Sequence, residues 1–461
     1  MTPIAPELRS LVRRVVTAGD PGWDDARQAF NLLVDQLPSA VVFPESAEEV
    51  AHVVGFAREH GLRVAPQSTG HNAGPLGSLE GTLLVRTSRM NRFEIDPEAR
   101  RARVEAGVLW QDVVPQAAEH GLAALHGSSP NVGVVGYTLG GGLGWLARKH
   151  GLAANSVQAV ELVTADGGLL RADRDTEPDL FWALRGGGGS FGVVTAIEFA
   201  LHPVADLYAG AMFFPFERAS EVLHAWREWT AATPDEVTSV GRILQLPPVP
   251  DIPEPLRGGS FAVVEAAFLG TEADGAELLR PLRELGPGMD TLAAAPLTAL
   301  SGLHMDPEHP VPALTEHSMI RDLPAEGVDA FVGAAGPGSG SPLLTVELRQ
   351  LGGALARPEP GHGASAALDG EFAMFAVGVP SDSPEVLSKP EIAAAVVAGL
   401  GQVKAALAPY ATGRGYSNFV ETARGMAGLF DAETCGRLSA VKAKHDPGNV
   451  FRANHPIEPT A

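Results

Sequence analysis

Three glycine-rich loops, set among short alternating strands and helices, constrain this chain more than any other feature. The first is Pro66-Gln67-Ser68-Thr69-Gly70-His71-Asn72-Ala73-Gly74, fed by a strand-like run from Leu62 to Ala65. Its small residues expose successive backbone N–H groups, and converging N–H dipoles stabilise an anion such as a pyrophosphate. The second loop runs from Gly127 to Gly144 and the third from Gly186 to Val194. One loop of this kind is an ordinary turn. The second and third give the first its weight as a phosphate cradle.

The segments between the loops alternate in type. Asp24 to Leu37 is predicted helical. Ser46-Ala47-Glu48-Glu49 has a capping-box pattern, with Glu49 reaching back to Ser46, and Gly61 stops the helix that follows. Thr82 to Val85 reads as a strand. Phe93 and Ile95, then Ala102, Val104 and Ala106, alternate with polar residues on either side of Asp96-Pro97 and predict two strands. Leu109 to His120 is predicted helical with a kink at Pro115. Val157 to Val163, the turn Asp166-Gly167-Gly168, a helix from Pro178 and a strand from Val194 to Phe199 complete a mixed unit ending near Pro203.

Beyond Ala205, alanine-rich helices alternate with strand candidates at Gly210–Phe214, Phe261–Phe268, Leu343–Leu348 and Phe372–Val377, which predicts a sheet with helices on one face. The tail from Tyr410 carries a helix (Ala432 to Lys444) and the turn Asp446-Pro447-Gly448-Asn449. A chain of 461 residues, 45% apolar, can bury a large core in two or three domains. A net charge of −21 opposes nucleic acid and anionic membranes. No long uncharged apolar run and no secretory leader are visible, so no membrane partner and a cytoplasmic location are expected. Cys435 is the single cysteine, which excludes an intrachain disulfide. His304, His309 and His317 fit no familiar metal-ligand spacing, and no metal is expected.

The first two loops, their order, and the ending Asp446-Pro447-Gly448-Asn449-Val450-Phe451-Arg452-Ala453-Asn454-His455 resemble the berberine-bridge-enzyme-like branch of the FAD-linked oxidases of the vanillyl-alcohol oxidase type. The similarity covers nearly the whole chain and is closest to the small bacterial members. It implies an α+β architecture: a two-part PCMH-type FAD-binding domain over residues 1–204, an α/β substrate domain over 205–409 whose antiparallel sheet is covered by helices, and a segment, 410–461, returning to the FAD domain.

The resemblance also implies roles. His71 would be bonded to the flavin 8α-methyl carbon, which requires a neutral imidazole, and Gln67, Ser68, Thr69, Gly70 and Asn72 would surround the cofactor. Ser129 stands where many members carry a second tether from cysteine, so a single covalent link, the 8α-histidyl one, is expected. Val132 falls beside the oxygen-reactive carbon, where a compact residue leaves space for dioxygen. Gly133, Gly136, Tyr137, Thr138, Gly141 and Gly142 would line the ribityl chain and phosphates, and Val194 the adenine end. Asn418 and Asn454 would close the isoalloxazine pocket.

Tyr416-Ser417-Asn418-Phe419 resembles the family's Tyr-x-Asn-Tyr, but Phe419 replaces the tyrosine that serves many members as base. Another residue supplies the base, or the substrate needs none, as with a neutral amine. Glu347 and Arg349 share a strand face by two-residue alternation and, with Tyr416 and Asn418, are the candidate catalytic residues. The expected activity is oxidation of a small molecule at a C–H next to N or O, with dioxygen reduced to hydrogen peroxide, in a monomer or homodimer. The alternatives are a flavin dehydrogenase or oxidative cyclase with poor oxygen use, a flavin protein without turnover, and a nucleotide-phosphate binder.

Overall fold

The computed structural model describes residues 5–250, 252–380 and 390–459. Three larger sheets organise them, beside a two-stranded pair of Leu122–Ala123 with His202–Pro203, and each of the three follows from its strand chemistry. Ala40–Val42, Arg63–Gln67 and Thr82–Arg86 form a small sheet with parallel pairs, edged by Val15–Val16. Its strands are mostly apolar and buried between their polar ends, as strands covered on both faces are. The helix Ala47–Glu59 packs on it through Val50, Val53, Val54 and Ala57.

A second sheet is antiparallel, in the order Phe93–Asp96, Arg101–Glu105, Val193–Ala200, Val157–Val163, Leu169–Asp173. One face packs Ala102, Val104, Val160 and Ile197 against Trp110 and Phe181. The opposite face is charged, and Arg103 donates two hydrogen bonds to Glu161 at 2.9 and 2.6 Å.

The third sheet is antiparallel and larger, ordered Met289–Asp290, Tyr208–Pro215, Ser260–Phe268, Val237–Gln245, Thr345–Gln350, Phe372–Gly378, Leu314–Ile320. The helices Ala219–Thr230, Glu272–Arg283, Ala325–Ala335 and Pro390–Leu407 cover one face, around Trp226, Phe214 and Phe331. Pro390–Tyr410 is the one helix among the described residues long and apolar enough to cross a membrane by composition. Its Val396, Leu400, Val403 and Leu407 are buried in the core under this sheet. The uncovered face turns toward the first two sheets.

The tail stitches these parts together. Helix Ala432–His445 packs on Pro178–Leu184, with Leu438 in the core beside Phe181 and Leu184. Lys442 and Asp446 form a fully buried pair at 2.5 Å, and the Asp446 carboxylate also accepts from the amides of Val450 and Phe451. Phe451 then bridges Val64 in the first sheet.

Four expectations change. The Asp24–Leu37 helix shrinks to Trp23–Arg27, because Phe30 and Leu32 instead bond Thr69 and Val311. The Ser46 hydroxyl caps the Glu49 amide at 3.3 Å, but Glu49 reaches one residue further back, to the Glu45 amide at 2.8 Å. A short helix, Val134–Leu139, forms inside the second glycine loop. The Pro and Glu neighbours of His304, His309 and His317 imply a loop for all three, but His317 lies on the strand Leu314–Ile320.

Candidate active site

A cavity of about 410 Å³ runs between the first two sheets, the bare face of the third and the tail. The first loop forms one wall from Gln67 to Ala73, the second contributes Ser129, Val132, Gly133, Gly136, Tyr137 and Gly140, and the third Gly186 to Gly189 and Val194. The tail adds Asn418, Phe419, Glu421 and Asn454. Thr138, Gly141, Gly142, Tyr416 and Glu347 stand behind this wall. Thr138 donates back to the Val134 carbonyl inside its own helix. The Tyr416 ring covers Gly141, and burial pushes its phenol far up.

His71 is fixed on three sides. Phe30 stacks on it at 3.7 Å with the rings 15° apart. Asn131 donates its amide N–H groups to the carbonyls of Pro307 and Glu308, so its Oδ1 faces inward. That oxygen accepts from Ser129 at 2.8 Å and from His71 Nε2 at 3.2 Å. The proton therefore sits on Nε2, and Nδ1 keeps the lone pair that accepts from the Thr69 hydroxyl at 2.8 Å. Burial lowers the His71 pKa to about 4, so the imidazole is neutral at pH 7.

The loop and tail are matched to each other. Asn418 Nδ2 donates to the Tyr137 carbonyl at 2.9 Å, and the Ser417 hydroxyl to the Gly140 carbonyl at 2.6 Å. Asn72 Nδ2 donates to the Ser417 carbonyl at 2.9 Å. A Cβ on Gly140 would fall on Asn418 Oδ1, so only glycine admits this contact. Gly70, at φ +82°, needs a backbone that side chains resist.

On the third sheet the register sets Arg242 beside Glu347, and Val240 beside both Glu265 and Arg349. His304 bridges the buried carboxylates of Glu265 (2.6 Å) and Glu347 (2.7 Å). Burial works against its charge, but the two carboxylates outweigh this and hold its pKa up at about 9. Arg242 pairs with Glu265 at 2.8 Å and Arg349 with Glu347 at 2.5 Å. Glu347 is thus a locked counter-ion whose pKa its cations hold low despite burial. Arg349 alone of this cluster reaches the cavity wall, with its guanidinium 5.1 Å from the Phe419 ring.

The residues present fit a flavin dinucleotide. No hydrogen bond is donated by the amides of Thr69, Gly70, His71 or Asn72 among the described residues. Among the described residues, three wall residues carry buried polar atoms without a partner: Gln67 Nε2, Asn72 Oδ1 and the Tyr137 hydroxyl. These are groups that a polar ligand satisfies. Sequence reasoning passed over Phe30, Asn131, Phe375, Asp306 and Glu421. Asn131 was in view within the second loop, but the carbonyls that orient its amide lie more than 170 residues away and leave no local signal.

Comparison with known proteins points to the same cofactor. The model for the FAD binding domain matches residues 38–173, and the model for "Berberine and berberine like" matches 415–458. (R)-6-hydroxynicotine oxidase of Paenarthrobacter nicotinovorans is 29% identical, over 98% of this chain and 97% of its own length. Glucooligosaccharide oxidase of Sarocladium strictum is 36% identical over 39% of this chain and 36% of its own. The structure of 6-hydroxy-D-nicotine oxidase from Arthrobacter nicotinovorans superposes with a TM-score of 0.79, 27% identity and coverage of 97% and 98%. That of BBE-like 1 from Physcomitrella patens gives 0.84 at 22% identity, covering 98% and 99%.

Proposed function

Because the chain belongs to the berberine-bridge-like FAD-linked oxidoreductases, we propose that it is an oxidase holding FAD through one covalent bond to His71. The observation that carries this is the His71 environment: a neutral ring lining the cavity, its proton assigned to Nε2, with Nδ1 the unprotonated nitrogen, which accepts from the Thr69 hydroxyl. FAD, when bound, supplies the acceptor for two electrons from a substrate C–H next to N or O, and passes them to dioxygen to give hydrogen peroxide. The chain's own residues do the positioning. Asn418 and Ser417 clamp the second loop, Asn131 and Thr69 fix the imidazole, and Arg349, Phe375 and Phe419 shape the space left for a small molecule. Orientation of this kind contributes about 7–11 kcal/mol in well-aligned model reactions. Ser129 spends its hydroxyl on Asn131 and supplies no second tether.

Acid precipitation tests the tether. The pellet of the unaltered protein is expected to be yellow, and His71→Ala should move the colour to the supernatant. A pellet that stays yellow in the variant refutes the assignment. Peroxide formed in the presence of substrate and air supports the oxidase. Reduction of an artificial acceptor without peroxide turns the reading to a dehydrogenase.

A further inference from the structure

Among the described residues, one carboxyl in the cavity has no cation paired with it. Glu421 stands two residues past Phe419 and lines the cavity together with Asn31, Thr315 and Val377. Its Oε2 accepts from Asn31 Nδ2 at 3.3 Å. Burial pushes its pKa up to about 7, and the hydrogen bonds of Asn31 and Thr315 recover only part of that rise.

The surrounding charges are committed elsewhere. Arg349 pairs with Glu347, Arg424 pairs with Glu316 at 2.8 Å, and Arg452 donates to the Leu76 carbonyl. His71 and His317 are neutral by burial, at about 4 and about 3, and burial also lowers His455. Lys404 lies beyond Glu316 and pairs with it. Asp306, across the cavity, adds a second carboxylate.

We propose that Glu421 is the proton acceptor that Phe419 cannot be, and that the substrate is an amine entering as its ammonium ion. The proposal rests on the FAD-linked oxidoreductase reading and names the substrate class of that site. In the step proposed, an N–H bond of the ammonium breaks, its electron pair stays on nitrogen, and an O–H bond forms on Glu421. No electrons leave the substrate in this step. The neutral amine so formed has the lone pair that turns the neighbouring C–H into a hydride donor. An alkylammonium as acidic as a lysine side chain lies roughly three pH units above this carboxyl. An alcohol as weakly acidic as water lies roughly nine above it, too far for this base.

The test uses the flavin-loaded protein and three probes: benzylammonium, benzyl alcohol and phenylacetate. Binding is read anaerobically from the perturbed flavin absorbance. Benzylammonium affinity is expected to rise about tenfold between roughly pH 6 and 8, as a carboxyl of pKa 7 ionises. In Glu421→Gln the slope should vanish and affinity stay at its acid level; Glu421→Asp should restore the slope. A slope that persists in Glu421→Gln overturns the proposal. So does alcohol or phenylacetate binding as tight as that of benzylammonium in the unaltered protein, a comparison that needs no variant to fold. A yellow protein with pH-indifferent binding sinks the amine proposal alone. A colourless protein that takes up no FAD sinks the flavin reading as well.

Discussion

Phe419 shows how one ring can redirect a site. It packs edge-on against Tyr416 at 5.3 Å, tilted against Phe375 at 5.0 Å, and under the Arg349 guanidinium. The Arg349 guanidinium over that ring, although paired with Glu347, would favour the phenolate of a hydroxyl added there. Phe419→Tyr is therefore expected to raise turnover of benzyl alcohol by roughly 10², the lower end of what a positioned base contributes. Steady-state rates of the two proteins would show it; no gain would mean that the ring's missing oxygen is not what limits alcohols. Asn131 allows a second test at this scale. Its Oδ1 sets the His71 tautomer, so Asn131→Ala should leave FAD bound but lower the acid-precipitable share of the flavin. An unchanged share would separate the tautomer from tether formation.

At the scale of elements, the seam between the second loop and the tail is the sensitive joint. Gly140→Ala would push its methyl onto Asn418 and part the contacts that Ser417 and Asn418 make. The expected result is a folded protein with little flavin, measured as the ratio of flavin absorbance to protein absorbance. Gly55→Ala is the control. Gly55 lies inside the helix Ala47–Glu59 with open space around it, so alanine should stabilise by about 0.5–1 kcal/mol and leave flavin content alone.

These elements were legible in the sequence to different degrees. Strands such as Arg101–Glu105 announced themselves, because one face is apolar and the other wet. Val237–Gln245 and Leu314–Ile320 did not: the first is buried on both faces, the second is half-buried and then buried along its length without alternation, and Thr238, Arg242, Glu316 and His317 break the apolar pattern. Arg242 is balanced by Glu265 on the next strand, and Glu316 by Lys404 on a helix and Arg424 in the tail, and no local pattern reveals such pairings. The stretch after Arg27 read as helix because its apolar residues are spaced like one. Tertiary partners, His71 for Phe30 and Val311 for Asn31, draw it out instead.

Over the whole molecule, buried histidines tie stability to pH. Outside the flavin site, burial lowers His126 and His202 to about 4 and His317 to about 3. Between about pH 6.5 and those values the unfolded chain binds protons that the native chain refuses, so stability falls as pH falls. Each such imidazole costs about 1.4 kcal/mol for every pH unit it is held neutral. Two groups run the other way. His304, raised to about 9, contributes stability that is full below 6.5 and lost as pH climbs through 9. Glu421, raised to about 7, destabilises increasingly between about 4.5 and 7 and so offsets one histidine in the acid window. Three imidazoles against one carboxyl leave a net loss on acidification. The melting temperature should therefore be highest near neutrality and drop steeply toward pH 5. His317 carries the most of this, since its Nδ1 donates to the Met374 carbonyl while its Nε2 accepts from the Tyr416 amide, joining the large sheet to the tail. His317→Gln should lower the melting temperature at pH 7.5 yet make the acid limb shallower. Thermal melts across the pH range would test this, and an acid limb as steep in the variant as in the parent would assign the loss of stability to other groups.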